Sequence, residues 1–238
     1  MKHAFRAFRS EPHSRAGGRL YEIILGGQDG MVNVLGLILG VASATANLQL
    51  ILISGLAATF AESISMAAVA YTSTKAEVDY YKKIEAQEKW EMRNKTEAEK
   101  EEIREIYRKK GFSGRLLDAV ANKIFSNKKV WLQDMMVQEL NLPPLQKKNP
   151  LSSALIVGVS AIIGSVIPLI PFVLGISIAS AMISAVVISA IALFIAGAIE
   201  SRYTVGNWKK KGAELALIGM GAAVVGFLIG KLLGSAVI

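Results

Sequence analysis

The sequence predicts an all-α polytopic membrane protein with five transmembrane helices and a helical insertion between the second and the third. Three observations predict it. Hydrophobic residues fill 52% of the 238 positions and charged residues only 19%, more apolar content than a soluble chain of this length usually carries. From Asn149 to Ile199 there is no Asp, Glu, Lys or Arg in 51 residues, and between Gly30 and Thr74 the only charged side chain is Glu62. Helices over such stretches have no polar face to turn to water. Finally, one block of 74 residues, 75 to 148, gathers seventeen basic and thirteen acidic side chains.

The elements follow in order. Residues 1–20 form a basic tail that carries the only two histidines, His3 and His13. It lacks an apolar run followed by a small-residue cleavage site, so the first helix is expected to insert as an uncleaved signal. A hydrocarbon core about 30 Å thick takes roughly 20 apolar residues per helical crossing. Residues 21–74 therefore hold two spans, joined at the polar stretch Ser43–Gln49. In the insertion, Lys75–Met92 and Glu97–Lys110 lack Gly and Pro and are rich in helix formers, with Thr96 a candidate cap. Gly111-Phe112-Ser113-Gly114 breaks the pattern, after which Leu116, Leu117, Val120 and Ile124 recur at helical spacing. A last short helix carries Trp131, Leu132, Met135, Met136 and Leu140 and stops at Pro143-Pro144. Three or four helices are expected there, the first continuing the second span. Residues 149–238 hold the third to fifth spans, with a turn at Pro168-Leu169-Ile170-Pro171 and the last span from about Ala213 to Leu233.

Charge gives the orientation. Five Lys or Arg lie in residues 1–19, seventeen in 75–148 and four in 202–211, all on one face of a five-span chain, while Lys231 is the single basic residue near the other. By the positive-inside rule the tail and the 75–148 domain are cytoplasmic. The net charge of +8 thus expresses topology, and without an aromatic-interleaved basic patch no nucleic-acid partner is expected. The absence of cysteine removes disulfides, thiolate metal sites and thiol chemistry.

Two span residues are candidates for chemistry. Asp29, in Gly26-Gly27-Gln28-Asp29-Gly30, either caps a helix in the headgroup region or is held within the span, where a carboxylate must face a cavity, a partner or an ion. Asn33 shares its helix face. Glu62 stands alone in the second span with Met66 at i+4. A carboxylate and a thioether on one face suit a divalent transition metal better than magnesium or calcium, although a Met in a membrane helix more often packs or faces lipid, so Met66 counts only beside Glu62. In the insertion, Glu88 with Glu91 and Glu99 with Glu102 are i, i+3 pairs that read either as a solvated helix laced with lysine or as oxygen ligands. Glu139 beside Met135 and Met136 favours the second reading.

Together these motifs resemble the vacuolar iron transporter family. The resemblance covers nearly the whole chain from Tyr21 on. It is carried by Gly27-Gln28-Asp29-Gly30-Met31, by Glu62-Ser63-Ile64-Ser65-Met66 through Ala70-Tyr71, by Trp131-Leu132-Gln133-Asp134-Met135-Met136, and by Pro168-Leu169-Ile170-Pro171-Phe172. It implies a homodimer of five-helix subunits in the lipid bilayer, exporting cytoplasmic Fe²⁺, and in some members Mn²⁺, in exchange for protons. It implies metal contacts at Asp29 and Met66 along the dimer interface. It further implies a cytoplasmic metal-binding domain using Glu88, Glu91, Glu99, Glu102, Met135, Met136 and Glu139. Such a chain serves iron homeostasis by antiport, in the plasma membrane of a prokaryote or the vacuolar membrane of a eukaryote. Plant members carry an acidic residue two turns before the second-span Met, where this chain has Ala58; Glu62, one turn before it, is the proton-carrying candidate beside Asp29.

No enzymatic activity, catalytic residue or resident cofactor is expected. The alternatives are a membrane-anchored metal-binding or di-iron carboxylate protein that does not transport, and a membrane protein whose insertion docks a soluble partner. The di-iron reading lacks the Glu-x-x-His pairs such helical sites use. The docking reading leaves Asp29 and Glu62 without a role.

Overall fold

The computed structural model describes residues 15–142, 149–204 and 206–236, and it is helical throughout with short connections. The helices are α1 (Arg15–Thr45), α2 (Leu48–Asn94), α3 (Thr96–Lys109), α4 (Gly114–Phe125), α5 (Lys128–Asp134), α6 (Pro150–Val173), α7 (Ile178–Glu200) and α8 (Trp208–Ala236), with a π turn over Met135–Glu139 after α5. Five of them, α1, α2, α6, α7 and α8, are long and apolar enough to cross a membrane among the described residues. The chain divides into two compact units, one comprising residues 1–71 and 151–238, the other 72–150. His3 and His13 and the Pro143-Pro144 stop lie outside the described residues.

In the first unit α1 is packed between two neighbours by small residues. A Cβ at Gly26 would lie 2.3 Å from the Val157 carbonyl oxygen of α6, and one at Gly30 would lie 2.4 Å from that of Ala161. Farther along, Cβ atoms at Gly226 and Gly230 of α8 would meet the carbonyl oxygens of Gly36 and Gly40 at 2.1 and 2.0 Å. Backbones approach this closely only where side chains are missing, the usual basis of helix pairing in lipid. Ser43 ties α1 to α8, its hydroxyl donating to the Phe227 carbonyl at 3.1 Å. The apolar core between the helices contains Val34, Leu35, Ile38, Ile51, Leu169 and Phe172.

The α1–α2 turn is tighter than the sequence suggests. Only Ala46 and Asn47 interrupt the helices. Ala46 takes a positive φ of 46°, and the Asn47 side chain accepts from the Leu50 amide at 3.1 Å, capping α2. The expected turn at Pro168–Pro171 is corrected: α6 runs through both prolines to Val173. A proline costs a helix one hydrogen bond and crowds the preceding turn, yet Pro168, Leu169 and Phe172 are buried, and packing against neighbouring helices tolerates the loss. The chain turns instead at Gly175, whose φ of 72° suits glycine. The last span is also longer than expected, beginning at Trp208.

In the second unit α2 continues unbroken to Asn94, 47 residues in all. Thr96 does not cap α3: its hydroxyl donates back to the Met92 carbonyl at 2.9 Å, and Lys95 occupies the cap position without a side-chain bond. Gly111 and Gly114, with φ of 93° and 53°, form the predicted break. Asn127 caps α5 by accepting from the amides of Lys129 and Val130. Ile103, Ala121, Ile124, Trp131 and Met135 make the core of this unit.

Candidate metal and proton sites

The first site lies within the spans of the first unit. α1 begins at Arg15, so Asp29 is well inside the helix and cannot be its cap. The Asn33 side-chain amide, one turn on, donates to a Glu62 carboxylate oxygen on α2. The Asp29 carboxylate lies near enough to act on Glu62 electrostatically, so two acidic groups meet within the spans, where a carboxylate calls for a cavity, a partner or an ion. Met66 follows Glu62 by one turn and is half-buried, as are Asp29 and Glu62, while Asn33 is exposed. Ser63 turns the other way, donating to the Thr59 carbonyl at 2.6 Å on the face where Gly158 of α6 closes on Ser63 and Ala67.

Helical spacing alone puts Asn33 on the face of Asp29 but does not pair it with Glu62. It also passes over Glu22, which accepts from the Ser153 hydroxyl of α6 and precedes Asp29 by seven residues. That separation, two helical turns, is the signal that could have found it.

The second site is in the second unit. Glu88 and Glu99 are only 4% and 3% exposed, and each has one carboxylate oxygen buried with no hydrogen-bond partner among the described residues. Burial pushes the Glu88 carboxyl up to about 7, helped by Glu99, Glu91 and Glu102. It does the same to Glu99, helped by Glu102, Glu91 and Glu139. Glu139, on the π turn, is likewise pushed up to about 7 by desolvation of its carboxyl, then by the neighbouring Glu102, Glu88 and Glu91. The residue as a whole is more open than Glu88 or Glu99. The structure thus brings all five sequence-predicted glutamates into one electrostatic cluster. As the side chains stand, no three Asp, Glu or His among the described residues are arranged to hold an ion.

The two methionines differ. Met135 is packed into the apolar core with Ile103 and Trp131. Met136 is just as buried, 1% exposed, but is not part of that core, which leaves it the better thioether candidate. A π turn adds a residue to a helix and often marks functional positions; here it carries Met135, Met136 and Glu139 together.

Five helices long and apolar enough to cross a membrane define a multi-pass membrane protein. The sequence matches the model of the VIT family over residues 20–231. It is 32% identical to vacuolar iron transporter 1 of Arabidopsis thaliana, over 93% of this chain and 89% of that protein. It is 31% identical to the vacuolar iron transporter of Centaurea cyanus, over 93% and 90%, and 31% identical to that of Toxoplasma gondii, over 89% and 73%. The chain belongs to the VIT family, a family of membrane transporters.

Proposed function

We propose that the chain carries Fe²⁺, with Mn²⁺ as a second cargo, out of the cytoplasm in exchange for protons, and that it does so as a homodimer. The observation that carries this reading is the Asn33 side chain of α1 donating to the Glu62 carboxylate of α2, one helical turn from Asp29, which places two acidic groups together within the spans. A carboxylate pair there binds a proton or a cation alternately. An arriving metal favours the charged form and expels the proton, and an arriving proton expels the metal. Met66 supplies a soft donor that favours ferrous iron or manganese over magnesium or calcium.

The glutamate cluster of residues 88, 91, 99, 102 and 139 is the capture site. Its unpartnered, buried oxygens are costly unless a proton or cation meets them. Helix α2 bears ligands of both kinds, Glu62 and Met66 in one part and Glu88 and Glu91 in another. The basic excess of residues 75–148 and 202–211 supports a cytoplasmic position for the insertion, and export from there relieves iron toxicity or loads a vacuole, according to the host membrane.

The homodimer rests on exposure. Asn33 is exposed on the face that also presents Leu37, and polar groups at membrane depth face protein or a water-filled path rather than lipid. A second copy covering this face would enclose the site. Uptake of Fe²⁺, Mn²⁺, Co²⁺ and Zn²⁺ into proteoliposomes, with and without an imposed proton gradient, tests the reading. Gradient-stimulated Fe²⁺ and Mn²⁺ flux supports it, and flux of neither metal removes it.

A further inference from the structure

A concave slot of about 350 Å³ opens on the membrane-spanning unit between α1, α7 and α8. Its walls include Leu39, Met182, Val186, Met220, Val224 and Phe227, and every residue lining it is apolar. It lies away from Asp29 and Glu62, toward the end of the spans where α1 turns into α2 and α6 into α7, since Leu39 is near the end of α1 and Met182 near the start of α7. Within a membrane span the surrounding medium is hydrocarbon, and an apolar slot of this size falls in the range of small-ligand cavities.

One charge stands over it. On α8 the slot residues Met220, Val224 and Phe227 recur at helical spacing, and the next position of that stripe is Lys231, which is exposed. α7 and α8 run antiparallel, with Gly197 against Lys211 and Leu193 against Gly219. That register carries Lys231 to the level of the first turn of α7, where the amide of Ser180 is already met by the Ser177 side chain. Lys231 is the single basic residue of the last twenty-seven. A lysine at a span end extends its ammonium into the headgroup layer.

We propose that this slot holds one acyl chain of an anionic phospholipid in the leaflet on the side of the α1–α2 and α6–α7 turns, with the lipid phosphate paired to Lys231. The apolar walls select a hydrocarbon chain, and the lysine selects the negatively charged headgroup over a zwitterionic one.

Native mass spectrometry of the full-length protein in detergent, with equal amounts of dioleoyl phosphatidylglycerol and dioleoyl phosphatidylcholine, tests this. The wild type is expected to retain phosphatidylglycerol in preference. Lys231→Gln should lower that preference about fivefold, the effect of one lysine near an anionic headgroup, while leaving acyl binding in place. Val187→Trp, which enters the slot from an exposed lining position, should reduce retention of both lipids; Val224→Trp does the same from the opposite wall should the first variant fail to fold. Equal retention of the two lipids by the wild type would overturn the proposal. So would a preference unchanged in Lys231→Gln, or tryptophan variants that fold and retain lipid as before.

Discussion

The Asn33 amide on α1 reaches across to the Glu62 carboxylate on α2, which holds the only charge between Gly30 and Thr74 in one orientation beside Asp29. Hydrogen bonds to a charged group contribute about 1.5–3 kcal/mol. Asn33→Leu should therefore lower initial Fe²⁺ flux into proteoliposomes roughly tenfold or more, with the protein still folded. Asn33→Gln should recover part of it. Flux in Asn33→Leu equal to the wild type would show that the bond has no part in transport.

The close crossing of α1 and α6 makes a stability prediction. A Cβ at Gly30 would lie 2.4 Å from the Ala161 carbonyl oxygen and 2.5 Å from the Ser165 hydroxyl, both fixed in the helix interface. Gly30→Ala should destabilise by about 1–3 kcal/mol, as overpacked sites do, and lower the melting temperature in detergent. Gly221→Ala, where nothing lies within 4 Å, is the control and should leave it unchanged or raise it slightly, since alanine favours a helix over glycine.

The glutamate cluster predicts a pH dependence. Folding raises the carboxyls of Glu88, Glu99 and Glu139 from 4.5 to about 7, so the folded unit holds protons that the unfolded chain releases. The stability they contribute is fully present below about 4.5 and is lost as pH rises through about 7. A divalent ion competes for the same oxygens. Mn²⁺ binding by the purified full chain should weaken as pH falls from about 8 to 6 and should release protons, measured calorimetrically in buffers of different ionisation enthalpy. The combined Glu88→Gln, Glu91→Gln, Glu99→Gln and Glu102→Gln protein should bind far more weakly. Affinity unaffected by either change would remove these residues from metal binding.

Absence of cysteine makes the proposed homodimer easy to test. Leu37→Cys lies on the face of Asn33 and is 41% exposed, while Ile163→Cys is 62% exposed on α6. A short bis-maleimide should link two subunits through the first position in membranes and leave the second monomeric. The opposite pattern would move the interface to another face.

What the residues disclose and what they conceal follow physical lines. The five spans are legible because an uncharged apolar run of about 20 residues matches the thickness of the hydrocarbon core, and the Gly111 and Gly114 break is legible because positive φ favours glycine. Pro168 and Pro171 mislead because proline breaks isolated helices more readily than buried ones. Thr96 misleads because its hydroxyl has two places to bond, its own helix start or the carbonyl of Met92. Spacing along single helices discloses the pairs Glu88 with Glu91 and Glu99 with Glu102. The link from Asn33 to Glu62 is concealed because it depends on the rotation of two helices about their axes, which only packing fixes. The burial of Met135 is concealed for the same reason.

The proposed function depends on one step, the exchange of a proton for a metal ion at Asp29 and Glu62. Fe²⁺ uptake by proteoliposomes under an imposed pH gradient, with intravesicular pH followed at the same time, tests it in the double variant Asp29→Asn, Glu62→Gln. Wild-type flux coupled to proton movement, with both lost in the variant, is the expected result. Proton-coupled Fe²⁺ flux at the wild-type rate in that variant would contradict it.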